Sequence, residues 1–322
     1  MTTHKKLIVG SRSSRMALAQ TNQFIAVFLE KNQDFKAADI EIKPITTTGD
    51  IKQKERLDLI GGKGLFVKEI EEQLLNKEIH VAVHSMKDMP TIMTPGLKIA
   101  AWLKRGDVRE ALVSVNKKSI LELAANTTIG TSSIRRRAQV LNQRRDLSIK
   151  LIRGNVDTRI KKLDRGEYDA LILGYGGLLR LGLEARVAKI FSTEEILPPA
   201  CQAAIGIQTL NEDNDIIKCI SKTNDHNSSV VGMAERRVLE QLQANCNSPI
   251  GVLGYVSEGN NFTIKAELFS HDGQEKYSAS ASGLLENAYK LAEKISEDII
   301  KQVGINFIKE LDILKNDFNY TP

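Results

Sequence analysis

The segment best equipped for chemistry is His84-Ser85-Met86-Lys87-Asp88-Met89-Pro90. It follows an apolar, β-branched run (Ile79, Val81, Val83) that reads as a buried strand. A strand ending in Lys87-Asp88 sets a cation and a carboxylate at its mouth, where open α/β sheets bind ligands. A carboxylate kept ionised among cations can balance positive charge as it develops on a reacting group. The plain alternative is a solvated ion pair or a helix cap at a strand end.

The arginines are the second feature. Arg12, Arg135, Arg136, Arg153, Arg159 and Arg180 all fall in strand-to-helix turns or in the first turns that follow. Such turns gather on one edge of a parallel sheet, where helix N-termini favour anions. Arginine forks match carboxylates bidentately. The run Arg135-Arg136-Arg137 opposes the dipole of the helix it opens, so it is expected to cost stability unless a bound anion sits there. A solvated basic face is the competing reading. No P-loop spacing is present, which makes a polycarboxylate a simpler ligand than a phosphate.

Cys246 is the third feature. It lies in a polar loop, Asn245-Cys246-Asn247-Ser248-Pro249, between a helix and a strand, and is a candidate nucleophile. Cys219, in Ile217-Lys218-Cys219-Ile220, reads as structural. The histidines have no catalytic context, and no Cys/His spacing suits a metal.

The elements that position these residues follow from periodicity. Leu7-Ile8-Val9 reads as a strand, 10–14 as a turn, and a helix from Arg15 carries Leu18, Ile25, Phe28 and Leu29 on one face. Residues 46–66 are polar and glycine-rich and read as a long loop of the kind used as lids. A helix near 67–76 and a strand at 79–84 follow. Thr128-Ile129 leads into Gly130-Thr131-Ser132-Ser133, which echoes Gly10-Ser11-Arg12-Ser13-Ser14 and suggests two similar α/β domains. Two more strand–turn–helix units start at 149 and 169, so the sheet is expected to be largely parallel. After about residue 225 the pattern changes. A helix over 230–243 precedes strands at 251–257, 262–269 and 276–282. A long amphipathic helix with Leu284, Ala288, Leu291, Ile295 and Ile299 completes a small α+β unit, and a loose tail is expected after 314.

With 322 residues, two or three domains are expected. The net charge of +5 permits anionic ligands but is too weak over this length to demand nucleic acid, and 5% aromatic residues offer few stacking platforms. Three cysteines, odd in number and widely spaced, fit a reducing compartment. The N-terminal apolar run is too short for a signal peptide, and no run reaches membrane-spanning length, so a cytoplasmic location without membrane contact is expected.

The chain closely resembles the porphobilinogen deaminase (hydroxymethylbilane synthase) family from about residue 5 to 312. The resemblance rests on Gly10-Ser11-Arg12-Ser13-Ser14, Thr47-Thr48-Gly49-Asp50, 61–69 (Gly-Gly-Lys-Gly-Leu-Phe-Val-Lys-Glu), His84-Ser85-Met86-Lys87-Asp88, 130–136 (Gly-Thr-Ser-Ser-Ile-Arg-Arg), 153–159 (Arg-Gly-Asn-Val-Asp-Thr-Arg), 162–170 and 177–182. It implies an α/β fold of two type II periplasmic-binding-protein-like domains plus a small C-terminal α+β domain. The implied division is 1–104 with 200–221, then 105–199, then 222–322. It implies a transferase of haem and tetrapyrrole biosynthesis that condenses four porphobilinogen molecules into hydroxymethylbilane with release of ammonia. The chain would grow on a dipyrromethane cofactor bound through a thioether to Cys246. By the same resemblance Asp88 is catalytic, assisting loss of the aminomethyl nitrogen and stabilising a cationic azafulvene. Lys87, Asp88, Ser133, Arg135, Arg136 and Arg159 would hold the cofactor. Arg12, Ser14, Gln20, Lys63, Arg153, Arg159 and Arg180 would hold substrate. No metal is implied, and a monomer is.

Three departures from the family pattern stand out. Gly174-Tyr175-Gly176 replaces an Ala-x-Ala stretch, Cys201 and Ala203 replace two glycines, and Asn245 replaces a glycine before Cys246. The alternative from another class is a non-catalytic two-lobed anion-binding protein. It explains the arginines but gives Asp88 and Cys246 no role.

Overall fold

The computed structural model describes residues 6–51, 66–115, 119–244 and 248–313. In chain order the strands are β1 Leu7–Arg12, β2 Ile40–Ile45, β3 Val81–Ser85, β4 Leu97–Trp102, β5 Glu110–Ser114, β6 Thr128–Gly130, β7 Ser148–Lys150, β8 Ala170–Gly174, β9 Val187–Ile190, β10 Ile205–Leu210, β11 Ile250–Ser257, β12 Asn261–Phe269 and β13 Lys276–Leu284. The chain divides into two compact units, 1–106 with 203–230 and 107–202 with 231–322.

The first unit is built on a sheet of order β2-β1-β3-β10-β4. β1 pairs in parallel with β2 and β3, and β10 runs antiparallel to β3 and β4. Val81, Ala82 and Val83 are all buried, as expected of a central strand covered on both faces. Phe24 and Phe28 of the helix Arg15–Lys31 pack on one face with Leu7, Val9, Val83 and Ile207. Ile70 and Leu74 of the helix Lys68–Leu75 close the other face with Ile45, Ile79 and Ala82. Burying each such side chain contributes about 1.5–3 kcal/mol.

The second unit repeats this design. Its sheet has the order β7-β6-β8-β5-β9, with β6 parallel to β7 and β8 and β5 antiparallel to β8 and β9. The echo between the two Gly-Ser/Thr turns therefore marks equivalent strands, β1 and β6. Each turn ends in a serine that caps the next helix: Ser14 accepts from the Ala17 amide at 3.2 Å, and Ser133 from the Arg136 amide at 3.4 Å. Such caps are worth about 1 kcal/mol each. The same unit carries the antiparallel sheet β11-β12-β13. Phe262, Ile264 and Ala266 alternate inward from β12 and, with Ile295 and Ile299 of the helix Ala288–Ile313, are buried.

Several sequence expectations change. β1 extends through Arg12, because its pairing with β2 continues to Ile45. The helix expected over 230–243 spans His226–Gln241. Leu284, expected on a helix face, ends β13 and is 47% exposed. The lid expected at 46–66 lies mostly outside the described residues; 48–51 form a short helix. The tail after 314 lies outside them too.

The chain passes from the second unit to the first through Pro199-Ala200-Cys201-Gln202-Ala203. Cys201 and Ala203, the two residues standing where the family pattern has glycine, both adopt left-handed backbone, with φ of 60° and 62°. For a residue with a Cβ that conformation costs roughly 1–2 kcal/mol. The site of the first departure lies against the second: a Cβ on Gly174 would come within 3.0 Å of the Gln202 side-chain nitrogen. Ala203→Gly is expected to raise stability by about 0.5–1 kcal/mol, the relief of strain exceeding the added chain entropy. Cys201→Gly is expected not to, since it also removes a side chain only 1% exposed whose Sγ lies 3.4 Å from the Gly232 carbonyl oxygen. Urea midpoints of the two variants check this; a lower midpoint for Ala203→Gly would rule out relievable strain at that position.

Candidate active site

β3 delivers the first cluster. Its end turns through a single 3₁₀ turn, Met86–Asp88, that leaves Lys87 exposed and Asp88 half-buried. The turn is held from three sides. The Met86 amide donates to the Ala204 carbonyl at 3.1 Å. Ser85 Oγ and the Gln20 side-chain amide are hydrogen-bonded, at 2.7 and 3.0 Å to its two heavy atoms. His84 Nε2 lies 2.9 Å from Gln208 Oε1, and Gln208 Nε2 donates to Glu71 Oε1 at 2.6 Å. That chain assigns the Nε2–H tautomer to His84. Burial pushes the His84 pKa down to about 4, against the opposing pull of Gln208.

β1 delivers Arg12 to the same edge of this sheet. Its guanidinium meets Asp50 twice, at 2.5 and 3.2 Å, and lies 4.1 Å from the centroid of the Phe66 ring. Burial works to raise the Asp50 pKa, but Arg12 and Thr47 outweigh it and hold the carboxyl below its ordinary value. A Cβ on Gly49 would sit 2.3 Å from the Phe66 ring, and the Thr48 amide donates to Glu69 at 2.8 Å. The motifs at 47–50 and 66–69 are thereby packed together.

The second unit presents the other arginines beyond the carboxyl ends of β6, β7 and β8. Arg135 and Arg136, in the first turn of the helix Ile134–Gln143, are 4% and 7% exposed. Both reach Glu110, the fully buried first residue of β5. Arg135 Nη2 donates to Oε1 at 2.5 Å, and Arg136 Nε and Nη2 donate to Oε1 and Oε2 at 3.0 and 2.7 Å. The remaining donors used go to carbonyls, Arg135 Nη1 to Leu197 at 2.7 Å and Arg136 Nη1 to Ile172 at 2.9 Å. Arg135 Nε is buried without a hydrogen-bond partner. Burial lowers the Arg135 pKa to about 10, Glu110 opposing and Arg136 adding to the fall. A carboxylate of the chain itself therefore pairs with part of this basic run. Sequence reasoning missed Glu110, whose only signal is a charged residue opening the apolar run Ala111-Leu112-Val113.

Arg153 is half-buried, Arg159 Nε donates to the Gly154 carbonyl at 2.8 Å, and burial lowers the Arg180 pKa. Lys63 and Cys246 lie outside the described residues. Both flanks of the Cys246 loop are anchored. The Ala244 amide donates to Leu239 on one side, and Ile250 starts β11 on the other. β11 rests on the segment that holds Arg135: the Val252 amide donates to Pro198 at 2.9 Å, and a Cβ on Gly251 would lie 2.9 Å from the Leu197 carbonyl oxygen. Buried Glu235 adds a tie, accepting from the Gly254 amide at 2.7 Å and the Cys201 amide at 2.6 Å. Among the described residues no His/Cys/Asp/Glu group is arranged to hold a metal, and no helix is long and apolar enough to cross a membrane.

These features define an α/β protein whose strand ends collect guanidinium groups, with an antiparallel sheet that begins shortly after residue 246. The chain belongs to the porphobilinogen deaminase family. Residues 7–218 match the family's dipyromethane cofactor binding domain, and 230–301 match its C-terminal domain. A porphobilinogen deaminase of Staphylococcus epidermidis is 39% identical over 311 residues, 96% of this chain and 99% of the relative. One from Sulfurimonas denitrificans is 39% identical over 308 residues, 95% of each chain. Among solved structures, a YaeC-family lipoprotein of Enterococcus faecalis overlays at a TM-score of 0.41 and 11% identity, covering 73% of this chain and 96% of that one.

The His84 environment gives a pH prediction. Between about pH 6.5 and 4 the unfolded chain takes up a proton at this residue and the folded chain does not. Stability from this source is complete above about 6.5 and falls by up to about 3 kcal/mol as the pH drops to 4. His84→Gln should flatten the dependence in that window, read by urea unfolding at pH 4.5 and 7. An unchanged slope would mean that the folded protein protonates His84.

Proposed function

We propose that this chain is a hydroxymethylbilane synthase: it joins four porphobilinogen molecules head to tail and releases one ammonia at each step. Family membership over nearly the whole chain supports this over a non-catalytic anion-binding protein. The observation that carries the site assignment lies within the second unit. β11, which follows the Cys246 loop, is seated on the Leu197–Pro198 segment, and the Leu197 carbonyl also holds Arg135. The strand that follows residue 246 in the chain and the most buried arginines thus share one support.

The donor set fits a dipyrromethane bearing acetate and propionate side chains. Two guanidiniums face one carboxylate at Glu110, and the Arg135 Nε is an unsatisfied buried donor. In this reading Cys246 anchors the group through a thioether, and Ser133, Arg135, Arg136 and Arg159 hold its carboxylates with Lys87 and Asp88. When bound, that group supplies the pyrrole end on which the chain grows. Arg12, Ser14, Gln20, Lys63, Arg153 and Arg180 orient incoming substrate through its carboxylates. Arg12 does so already aligned by Asp50, and Gln20 acts through Ser85 as well. The Asp88 carboxylate accepts pyrrole N–H groups and balances the positive charge that builds as the aminomethyl nitrogen leaves. Electrostatic stabilisation of developing charge by one positioned group contributes roughly 10²–10³-fold. The proposal includes the division into 1–104 with 200–221, 105–199 and 222–322, a cytoplasmic monomer, and no nucleic-acid or membrane partner.

The deciding experiment is the intact mass of the purified protein, before and after incubation with porphobilinogen, with peptide mapping around residue 246. A gain of two linked pyrrole units on Cys246, abolished in Cys246→Ser, is expected. No gain under either condition would overturn the assignment, and the same adduct on Cys201 would relocate it. Asp88→Asn should keep its far-ultraviolet circular dichroism and cofactor mass yet lose at least about 10²-fold in turnover. Near-normal turnover would remove Asp88 from the chemistry.

A further inference from the structure

The cluster of Arg135, Arg136 and Glu110 contains two cations and one anion, at side-chain exposures of 4%, 8% and 0%. A buried charge is tolerated when it is paired and hydrogen-bonded and is otherwise expensive. Among the described residues the pairing covers one of the two positive charges. The surplus is aggravated by the helix N-terminus on which both arginines sit. The unpartnered Arg135 Nε is a second sign that the cluster is one anionic group short.

Glu110 occupies a specific place in this arrangement. It bonds the side-on face of Arg136 through both oxygens, and it takes one terminal nitrogen of Arg135. The Ile172 and Leu197 carbonyls fix the other terminal nitrogens. Each guanidinium plane is therefore held at two sides by groups on the strand edge. The strand register adds stiffness, since Glu110 opens β5 directly opposite Gly174 of β8, and its carbonyl accepts from the Phe191 amide at 2.9 Å.

We propose that Glu110 is a positioning residue for cofactor loading: it holds the Arg135 and Arg136 forks in fixed planes and leaves the cluster short by a single anion, so that one carboxylate of the entering pyrrole group is received in a defined orientation. The inference rests on the proposed function above. It assigns Glu110 no contact with substrate. Its effect is exerted through the two arginines, before and during attachment at Cys246.

Two variants test it. Glu110→Asp keeps the charge and draws the carboxylate back by one methylene, and Glu110→Gln keeps the shape and removes the charge. Glu110→Gln leaves two buried guanidiniums without an anion and is expected to fold poorly, so Glu110→Asp is the deciding variant. Apoprotein is incubated with porphobilinogen, and the fraction carrying the two-pyrrole adduct is followed by intact mass against time. The substrate KM and kcat are then measured on the loaded fraction. Loading of Glu110→Asp slowed by about 10–100-fold, with kcat of the loaded fraction near wild type, is the expected result, since small displacements of positioning groups have effects of that order. A variant that melts earlier but loads at the wild-type rate would overturn the proposal and leave Glu110 purely structural. If wild-type apoprotein itself fails to load, the cofactor reading falls and this inference falls with it. Wild-type loading with unimpaired Glu110→Asp sinks the inference alone.

Discussion

A guanidinium cannot be taken out of water unpaired, and this constraint shapes both sheets at their ligand-binding edges. Arg12 is met by Asp50, and Arg135 and Arg136 are met by Glu110. Charge-assisted hydrogen bonds of this kind are individually worth about 1.5–3 kcal/mol, but much of that is returned as desolvation. Their larger consequence is orientational. A long, flexible side chain loses its freedom when the protein folds, so little remains to be lost when a ligand carboxylate arrives. The two sheets reach this result with different amounts of charge. Arg12 and Asp50 balance one for one and stay partly open to solvent, at side-chain exposures of 22% and 10%. The Glu110 cluster keeps an excess positive charge and is almost fully buried.

That difference bears on what could be read from the sequence. The arginines themselves were legible by type and by their place after glycine-containing turns. Their counter-ions were not. Glu110 lies 25 residues from Arg135 and is recognisable only once β5 is known to run antiparallel beside β8, which brings the start of one strand to the end of the other. The parallel strands β1, β3, β6 and β8 are legible because each combines a β-branched or apolar run with a polar or glycine-containing turn into a helical segment, capped by a serine after β1 and β6. β4, β5, β9 and β10 carry no such turn-and-helix signature and leave no comparable mark in the sequence. β10 was also beyond any local pattern, because its partners β3 and β4 lie more than 100 residues earlier. The C-terminal antiparallel strands were readable from their alternation, and only their ends shifted.

Two of the three departures from the family pattern form one structural event. Gly174 gives room to the Gln202 side chain, which lies between the two left-handed residues Cys201 and Ala203. Where glycine would adopt that backbone freely, this chain does so with side chains, and the cost falls on the segment that connects the two units. The surroundings over-determine the conformation: the Cys201 amide donates to buried Glu235, and the Gly106 amide donates to the Ala203 carbonyl. Strain of this size persists where neighbouring contacts hold it in place. A backbone restricted in this way has fewer alternative conformations than one with glycine at both positions.

Asp88 is held by a different principle from the arginines. Ser85 is fixed by Gln20, Met86 by a backbone carbonyl, and His84 by Gln208, whose amide passes the contact on to Glu71. The histidine is neutral well below physiological pH because burial disfavours its charged form. Had His84 been a cation, it would have stood four residues from Asp88 in the same strand end and competed with any positive charge that the carboxylate is meant to balance. A neutral support leaves the field around Asp88 to the ligand and to the exposed Lys87. The carboxylate can then be positioned by the fold without being neutralised by it, whereas the arginines, which must be buried, cannot be positioned without partial neutralisation.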